Sequence, residues 1–245
     1  MWACGAVGSA LPWHGRGQRF EPVQVHQIPP FYSKVTFAEE LAQLLPADLP
    51  HRDRCIEVSA RHLDLIVEAN KVMNLTRILG VREAAIKHVL DSVMPWRLFK
   101  NAKRVADAGT GAGFPGIPLS VVLPETRFFL LESVQKKARF AESAVAALEL
   151  PNAVVIPMRA EEWLAKQHVD IVTARAVAPL DKAIPLLASI LRTGTRALLY
   201  KGPDALNEIE QAAADARNRR IKMQIVERYE LPDGLGSRTI VELSA

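Results

Sequence analysis

The residues of this chain that can do chemistry gather in three places. The first is the run Asp107-Ala108-Gly109-Thr110-Gly111-Ala112-Gly113-Phe114-Pro115-Gly116. Gly109, Gly111 and Gly113 can adopt positive φ without steric cost, and they let a ligand approach the main chain closely. Glu132 follows in Leu130-Leu131-Glu132-Ser133, where two carboxylate oxygens can accept both hydroxyls of a ribose. The second place holds Arg175 and Lys201. A guanidinium there can meet the O6 edge of a guanine or clamp a phosphate. Lys201 can meet a nucleic-acid backbone, or be an ordinary solvated lysine. The third is Asn74 with His88, Asp91 and Ser92. Spacings of three and four put the last three on one helical face. A His-Asp-Ser trio suggests hydrolysis, but local helical spacing rarely builds a working triad. The alternatives are a polar network tying helices to the rest of the chain and a face that borders a cofactor cleft and places a substrate.

Two ligands compete for the glycine run. Gly111-x-Gly113-x-x-Gly116 matches the dinucleotide fingerprint, and Glu132 stands near the spacing expected of its ribose-binding acid. An NAD-dependent oxidoreductase is therefore one reading. Three features favour S-adenosylmethionine instead. Asp107 ahead of the first glycine suits a ligand with a positive ammonium or sulfonium. Pro115 removes an N–H that a phosphate would use. The chain also closes on an antiparallel hairpin, which is foreign to the usual dinucleotide sheet.

The elements that position these residues follow from the hydrophobic rhythm. After Asn101, strands are expected at Arg104–Asp107, Arg127–Leu131, Ala153–Ile156, Asp170–Ala174 and Thr195–Tyr200. Helices are expected near Ile117–Val122, Val134–Glu149, Ala160–Lys166, Leu180–Leu191 and Asp204–Arg219. Such alternation predicts a Rossmann-like α/β fold, a parallel sheet with helices on both faces. Lys222–Glu230 and Ser237–Leu243 alternate apolar and polar residues around Pro232-Asp233-Gly234, the pattern of a closing hairpin. Residues 36–100 form a small helical lead-in, and 101–245 form the cofactor domain. A short helix follows Thr36 and Pro46 stops it. Others span about Arg54–Val72 and Val81–Asp91, with a fourth or a continuation ending near Phe99. Residues 1–35 carry no usable periodicity and read as a flexible extension.

In 245 residues, 49% hydrophobic and 24% charged, there is room for one sizeable core. No apolar run approaches the ~18 residues of a membrane span. Cys4 and Cys55 form neither a disulfide framework nor a metal-ligand spacing, so a cytoplasmic protein without a metal is expected. A formal charge of +4 is compatible with a nucleic-acid partner. Aromatics make up 6%, too few for a stacking platform, so folded RNA would be recognised by shape more than by short sequence.

The glycine-proline run continued through Ile117-Pro118-Leu119, with Asn74-Leu75-Thr76 and His88-Val89-Leu90-Asp91-Ser92 upstream, resembles the RsmG (GidB) family. The resemblance extends through Leu131-Glu132-Ser133, Lys136-Lys137, Arg159-Ala160-Glu161, Ala174-Arg175-Ala176 and Tyr200-Lys201-Gly202, over about residues 40–243. One departure is Met73, where the family usually carries an aromatic. The resemblance implies a class I methyltransferase acting on N7 of a guanosine in the 530 loop of bacterial 16S rRNA. It implies that Gly109, Phe114 and Ser133 contact S-adenosylmethionine and that Ala160 and Glu161 lie beside its adenine. Arg175 would reach the shared cofactor and substrate cleft. The partner would be 16S rRNA or the small ribosomal subunit, met by a monomer. N7 presents an in-plane lone pair, so alignment rather than proton abstraction is the enzyme's task. A methyltransferase for another RNA or a small molecule shares the cofactor half, and a non-catalytic RNA-binding protein would keep the pocket only as a relic.

Overall fold

The computed structural model describes residues 35–176 and 178–245; the extension expected over 1–35 lies outside them but for Val35. Helix α1 (Phe37–Leu44) starts at a capping box, in which Thr36 and Glu39 satisfy each other's backbone N–H. Helix α2 (Arg52–Asn70) follows. The next helical run changes winding twice: α3 (Val81–Ala84), a π-helical stretch Ala85–Leu90, then α4 (Asp91–Val93). A 3-10 turn at Trp96–Phe99 leads to β1 (Arg104–Ala108). From there strands and helices alternate: α5 (Gly116–Val122), β2 (Arg127–Leu131), α6 (Gln135–Ala147), β3 (Ala153–Ile156) and α7 (Ala160–Leu164). The second half runs β4 (Ile171–Arg175), α8 (Leu180–Leu191), β5 (Arg196–Lys201), α9 (Ala205–Arg219), β6 (Lys222–Glu230) and β7 (Ser237–Ser244).

The strands form one seven-stranded sheet in the order β3-β2-β1-β4-β5-β7-β6. β1 to β5 are parallel, while β7 runs antiparallel to β5 and β6 antiparallel to β7. The expected parallel sheet with a closing hairpin is what forms. Among the described helices none is long and apolar enough to cross a membrane.

Side chains alternate across a strand, so each strand feeds two cores. Val105, Phe128, Leu130, Leu198, Tyr200 and Ile240 pack against α1, α2 and the π stretch, with α5 on the same side. Ala106, Phe129, Leu131, Val172, Ala197, Leu199 and Val241 pack against α8 and α9. Burial on both faces explains the continuous apolar runs of the parallel strands. The same alternation sorts the polar residues at the strand ends. Arg175 reaches the lead-in face, where Asp91 meets it, and Lys201 reaches the opposite face, where Glu208 of α9 meets it.

Candidate active site

The glycine loop leaves β1 with Gly109, Gly111 and Gly113 at φ 73°, 61° and 102°. All three lie in the left-handed region that favours glycine. Gly116 is required for a different reason: a Cβ there would stand 2.2 Å from Leu130 Cδ2 and 2.8 Å from Asp107 Oδ2. Asp107 is fully buried, and its Oδ2 accepts from Thr110 Oγ1 at 2.7 Å and from Gly116 N–H at 2.9 Å. The loop is thus stapled from its first residue to its last. Burial raises the Asp107 carboxyl to about 6, although those two donors pull the other way. Its second oxygen, Oδ1, is buried without a partner.

Glu132, also buried, holds the middle of the loop. Its Oε2 accepts from Gly111 N–H at 3.0 Å and its Oε1 from Val134 N–H at 2.8 Å. A carboxylate offers about four lone-pair sites, so two remain for further donors.

Phe114 does not line the cleft beside the loop. Its ring is caged by the lead-in instead. His88 stacks on it at 4.8 Å and 9°, His62 tilts against it at 4.7 Å, and the Arg175 guanidinium sits 5.5 Å from its centre. His62 also donates from Nε2 to Ala112 O of the loop at 2.8 Å. Burial lowers both histidines, His62 to about 4 and His88 to about 3, with the Arg175 charge adding to the effect on His88. Both rings are neutral at physiological pH.

Asp91 and Ser92 meet at one point, Arg175 Nη1, which donates to Asp91 Oδ2 at 3.1 Å and to Ser92 Oγ at 3.3 Å, while the His88 ring turns to Thr76 and Phe114. His88 Nε2 pairs with Thr76 Oγ1 at 3.1 Å, while Ser92 Oγ donates back to His88 O. Asp91, with no exposed surface, is the centre of a polar knot. Arg175 Nη1 lies 3.1 Å from its Oδ2, Arg238 Nε lies 3.0 Å from both oxygens, and Tyr229 donates to Oδ1 at 3.1 Å. Arg175 Nη1 also donates to Lys87 O at 2.9 Å, and Tyr200 donates to Ser92 O at 2.8 Å. Asn74 is exposed and makes no hydrogen bond among the described residues. Asn70 does the local work there, accepting from Leu75 N–H and Thr76 N–H and so holding Thr76 towards His88.

The cleft opens at the carboxyl ends of the strands. Gly109, Ser133, Ala160, Glu161 and Lys201 line it, over an apolar floor that includes Leu131, Met158, Leu164, Ala174 and Leu187. Of the residues singled out from the sequence, these five share the cleft. Asp107, Gly111, Gly113 and Glu132 form the loop that frames it, and Arg175 stands at its rim between Ala174 and Ala176, both of which line it. Lys201 is not solvated. Its ammonium pairs with Glu208 at 2.8 Å and donates to Ala178 O. That pairing turns it away from the role of a free backbone-binding lysine.

His62, Tyr229 and Arg238 escaped the sequence reading, and Tyr200 entered it only as part of a family motif. A histidine between Val58 and Ile66 on the buried side of a helix reads as core, and the other three meet Asp91 or Ser92 only through tertiary structure.

A family model described as rRNA small subunit methyltransferase G matches residues 56–235. The chain is 66% identical over 209 residues to the ribosomal RNA small subunit methyltransferase G of Solibacter usitatus, covering 85% of this chain and 100% of that one. It is 36% identical over 193 residues to the protein of the same name from Carboxydothermus hydrogenoformans, covering 76% and 81%. Among solved structures, a putative O-methyltransferase from Klebsiella pneumoniae superposes with TM-score 0.55 at 16% identity, covering 84% of this chain and 94% of that one. An O-methyltransferase from Bacillus cereus in complex with SAH gives 0.53 at 14%, covering 76% and 91%. At such identities the likeness shows the fold alone.

Proposed function

Because the chain belongs to the rRNA small subunit methyltransferase G family, we propose that it transfers a methyl group to N7 of a guanosine in the 530 loop of 16S rRNA. Its cofactor is S-adenosylmethionine, which supplies an electrophilic methyl on a sulfonium. The observation that carries the reading is the stapled glycine loop at the carboxyl end of β1, clamped from behind by lead-in residues.

The residues present fit that cofactor. Glu132 keeps lone pairs for two ribose hydroxyls, and the unpaired buried oxygen of Asp107 suits an ammonium. Gly109 and Ser133 give close main-chain approach, and Ala160 and Glu161 border a flat base above the apolar floor. Gly111 and Gly113 shape the turn. Phe114 acts at one remove, as the plug by which the lead-in holds the loop.

N7 of guanine needs no base to free its lone pair. The two nearby histidines are held neutral with weak basicity. The protein's part is alignment. Arg175 is fixed by one nitrogen to Asp91 and Lys87 O, which leaves the rest of its guanidinium to meet O6 of the acceptor. Asp91 offsets part of the positive charge next to a base that becomes cationic. Residues 36–100 place the RNA and 101–245 hold the cofactor, with Asn74 offering an exposed amide on the acceptor side. The protein works as a cytoplasmic monomer on 16S rRNA or the small subunit. Methyl transfer to unmodified rRNA, mapped to the nucleotide, tests this reading.

A further inference from the structure

The glycine loop has one carbonyl that its own turn cannot satisfy. Ala112 O would ordinarily accept from the N–H three or four residues on. Three on stands Pro115, which has no N–H, and the Gly116 N–H four on is taken by Asp107 Oδ2 at 2.9 Å. Ala112 is buried, so its oxygen has little water to turn to. The donor comes from outside the loop. It is Nε2 of His62 on α2, a residue with no exposed surface, at 2.8 Å. No other donor among the described residues reaches this oxygen.

The bond defines the histidine as well. A carbonyl only accepts, so the proton sits on Nε2, and Nδ1 is left buried without a partner among the described residues. An apolar side chain would fill the same space without that penalty, so packing alone does not account for a histidine here. The ring also lies against the main chain of the following residue: a Cβ on Gly113 would stand 3.1 Å from His62 Cε1. The Ala112–Gly113 peptide is thus held at both ends, its oxygen by His62 and its N–H by Thr110 O at 2.9 Å. One residue back, Gly111 N–H donates to Glu132 Oε2 at 3.0 Å. Rotation of the Ala112 carbonyl would therefore pass through Gly111 to the carboxylate proposed for the ribose.

We infer that His62 is a positioning residue for the cofactor: its Nε2–H locks the Ala112–Gly113 peptide and so holds Gly111 and Glu132 in the arrangement that binds S-adenosylmethionine. His62 does not line the cleft, so it acts only through the loop. The inference rests on the S-adenosylmethionine reading of the cleft and adds α2 of the lead-in to the elements that set cofactor affinity.

His62→Gln and His62→Met separate the hydrogen bond from the packing. Both new side chains are unbranched, suit a helix and are close in size, but only glutamine carries an N–H for Ala112 O. Glutamine also brings further polar atoms into a buried site, so His62→Met is expected to be at least as stable to urea. S-adenosylhomocysteine affinity should run in the opposite order. By calorimetry, His62→Met is expected to bind about tenfold more weakly than the unaltered protein, the scale of one lost hydrogen bond, with His62→Gln within about threefold. KM for S-adenosylmethionine should rise in step in His62→Met, while KM for rRNA and kcat at saturating cofactor stay within about twofold. Equal affinities in the two variants, or affinities that follow stability, would overturn the positioning role and leave the cofactor assignment standing. Failure of the unaltered protein to bind S-adenosylhomocysteine would overturn that assignment, and the inference with it.

Discussion

Arg175 at the end of β4 and Asp91 in the lead-in lie 3.1 Å apart, 13% and 0% exposed, and join segments 84 residues apart in sequence. The contact couples the cleft rim to the helices that precede the sheet. It gives the lead-in a role beyond covering apolar strand faces.

Removing the acid should be costly. Asp91→Ala leaves Arg175 and Arg238 facing each other without their shared anion, and breaking a buried pair this way typically costs about 3–5 kcal/mol. Urea denaturation measures it, with the slope checked for an unchanged native state. A loss below about 1 kcal/mol would show the knot to be incidental.

Arg175→Lys separates alignment from folding. Lysine keeps the charge but not the planar fork, so it can hold Asp91 while presenting nothing of fixed direction to the acceptor. Cofactor affinity is expected to stay within about threefold while kcat falls by about tenfold or more, the scale of a lost orienting contact. Equal losses in both, read by calorimetry and initial rates, would reduce Arg175 to a scaffold residue.

Gly116→Ala tests the loop staple. The added Cβ would overlap Leu130 and crowd the Asp107 oxygen that Gly116 N–H contacts. Overpacking of this kind costs about 1–3 kcal/mol. Weaker S-adenosylhomocysteine binding should accompany the loss. Retained affinity would mean that the loop's shape is not set by this approach.

The pH dependence has a sign for each buried group. His62 and His88 have folded values near 4 and 3, below the ordinary 6.5. Their contribution is fully present above pH 6.5 and is lost as pH falls through those folded values. Asp107 runs the other way. Its folded value near 6 lies above the ordinary 3.8, so its contribution is present at low pH and is lost as pH rises from about 4 to 6. Stability should therefore drop on acidification below pH 6.5, because two histidines outweigh one carboxyl. Asp107→Asn should steepen that drop. Melting curves from pH 4 to 8 check both, and an Asp107→Asn profile parallel to the parent would refute the Asp107 assignment.

The residue pattern foretold what local sequence controls. β2, β3 and α8 fall at their expected limits, because strands buried on both faces and a helix with a broad apolar side leave unbroken signatures. The glycine loop was legible for the same reason: positive φ at three positions leaves few other residue choices. The π stretch was not, since winding is decided by what the helix packs against. Tyr229 and Arg238 reach Asp91 across 138 and 147 residues of chain, a distance no local pattern spans. Lys201 read as a surface residue because its partner Glu208 lies on the following helix.

The most direct test of the central claim is transfer of tritiated methyl from S-adenosylmethionine to unmodified small ribosomal subunits and to purified 16S rRNA, mapped by cleavage at N7-methylated guanosine. The expected result is one labelled guanosine in the 530 loop, with the better acceptor of the two identifying the working substrate. Tight S-adenosylhomocysteine binding with no label in either RNA would contradict the account. It would leave a methyltransferase fold whose acceptor lies elsewhere.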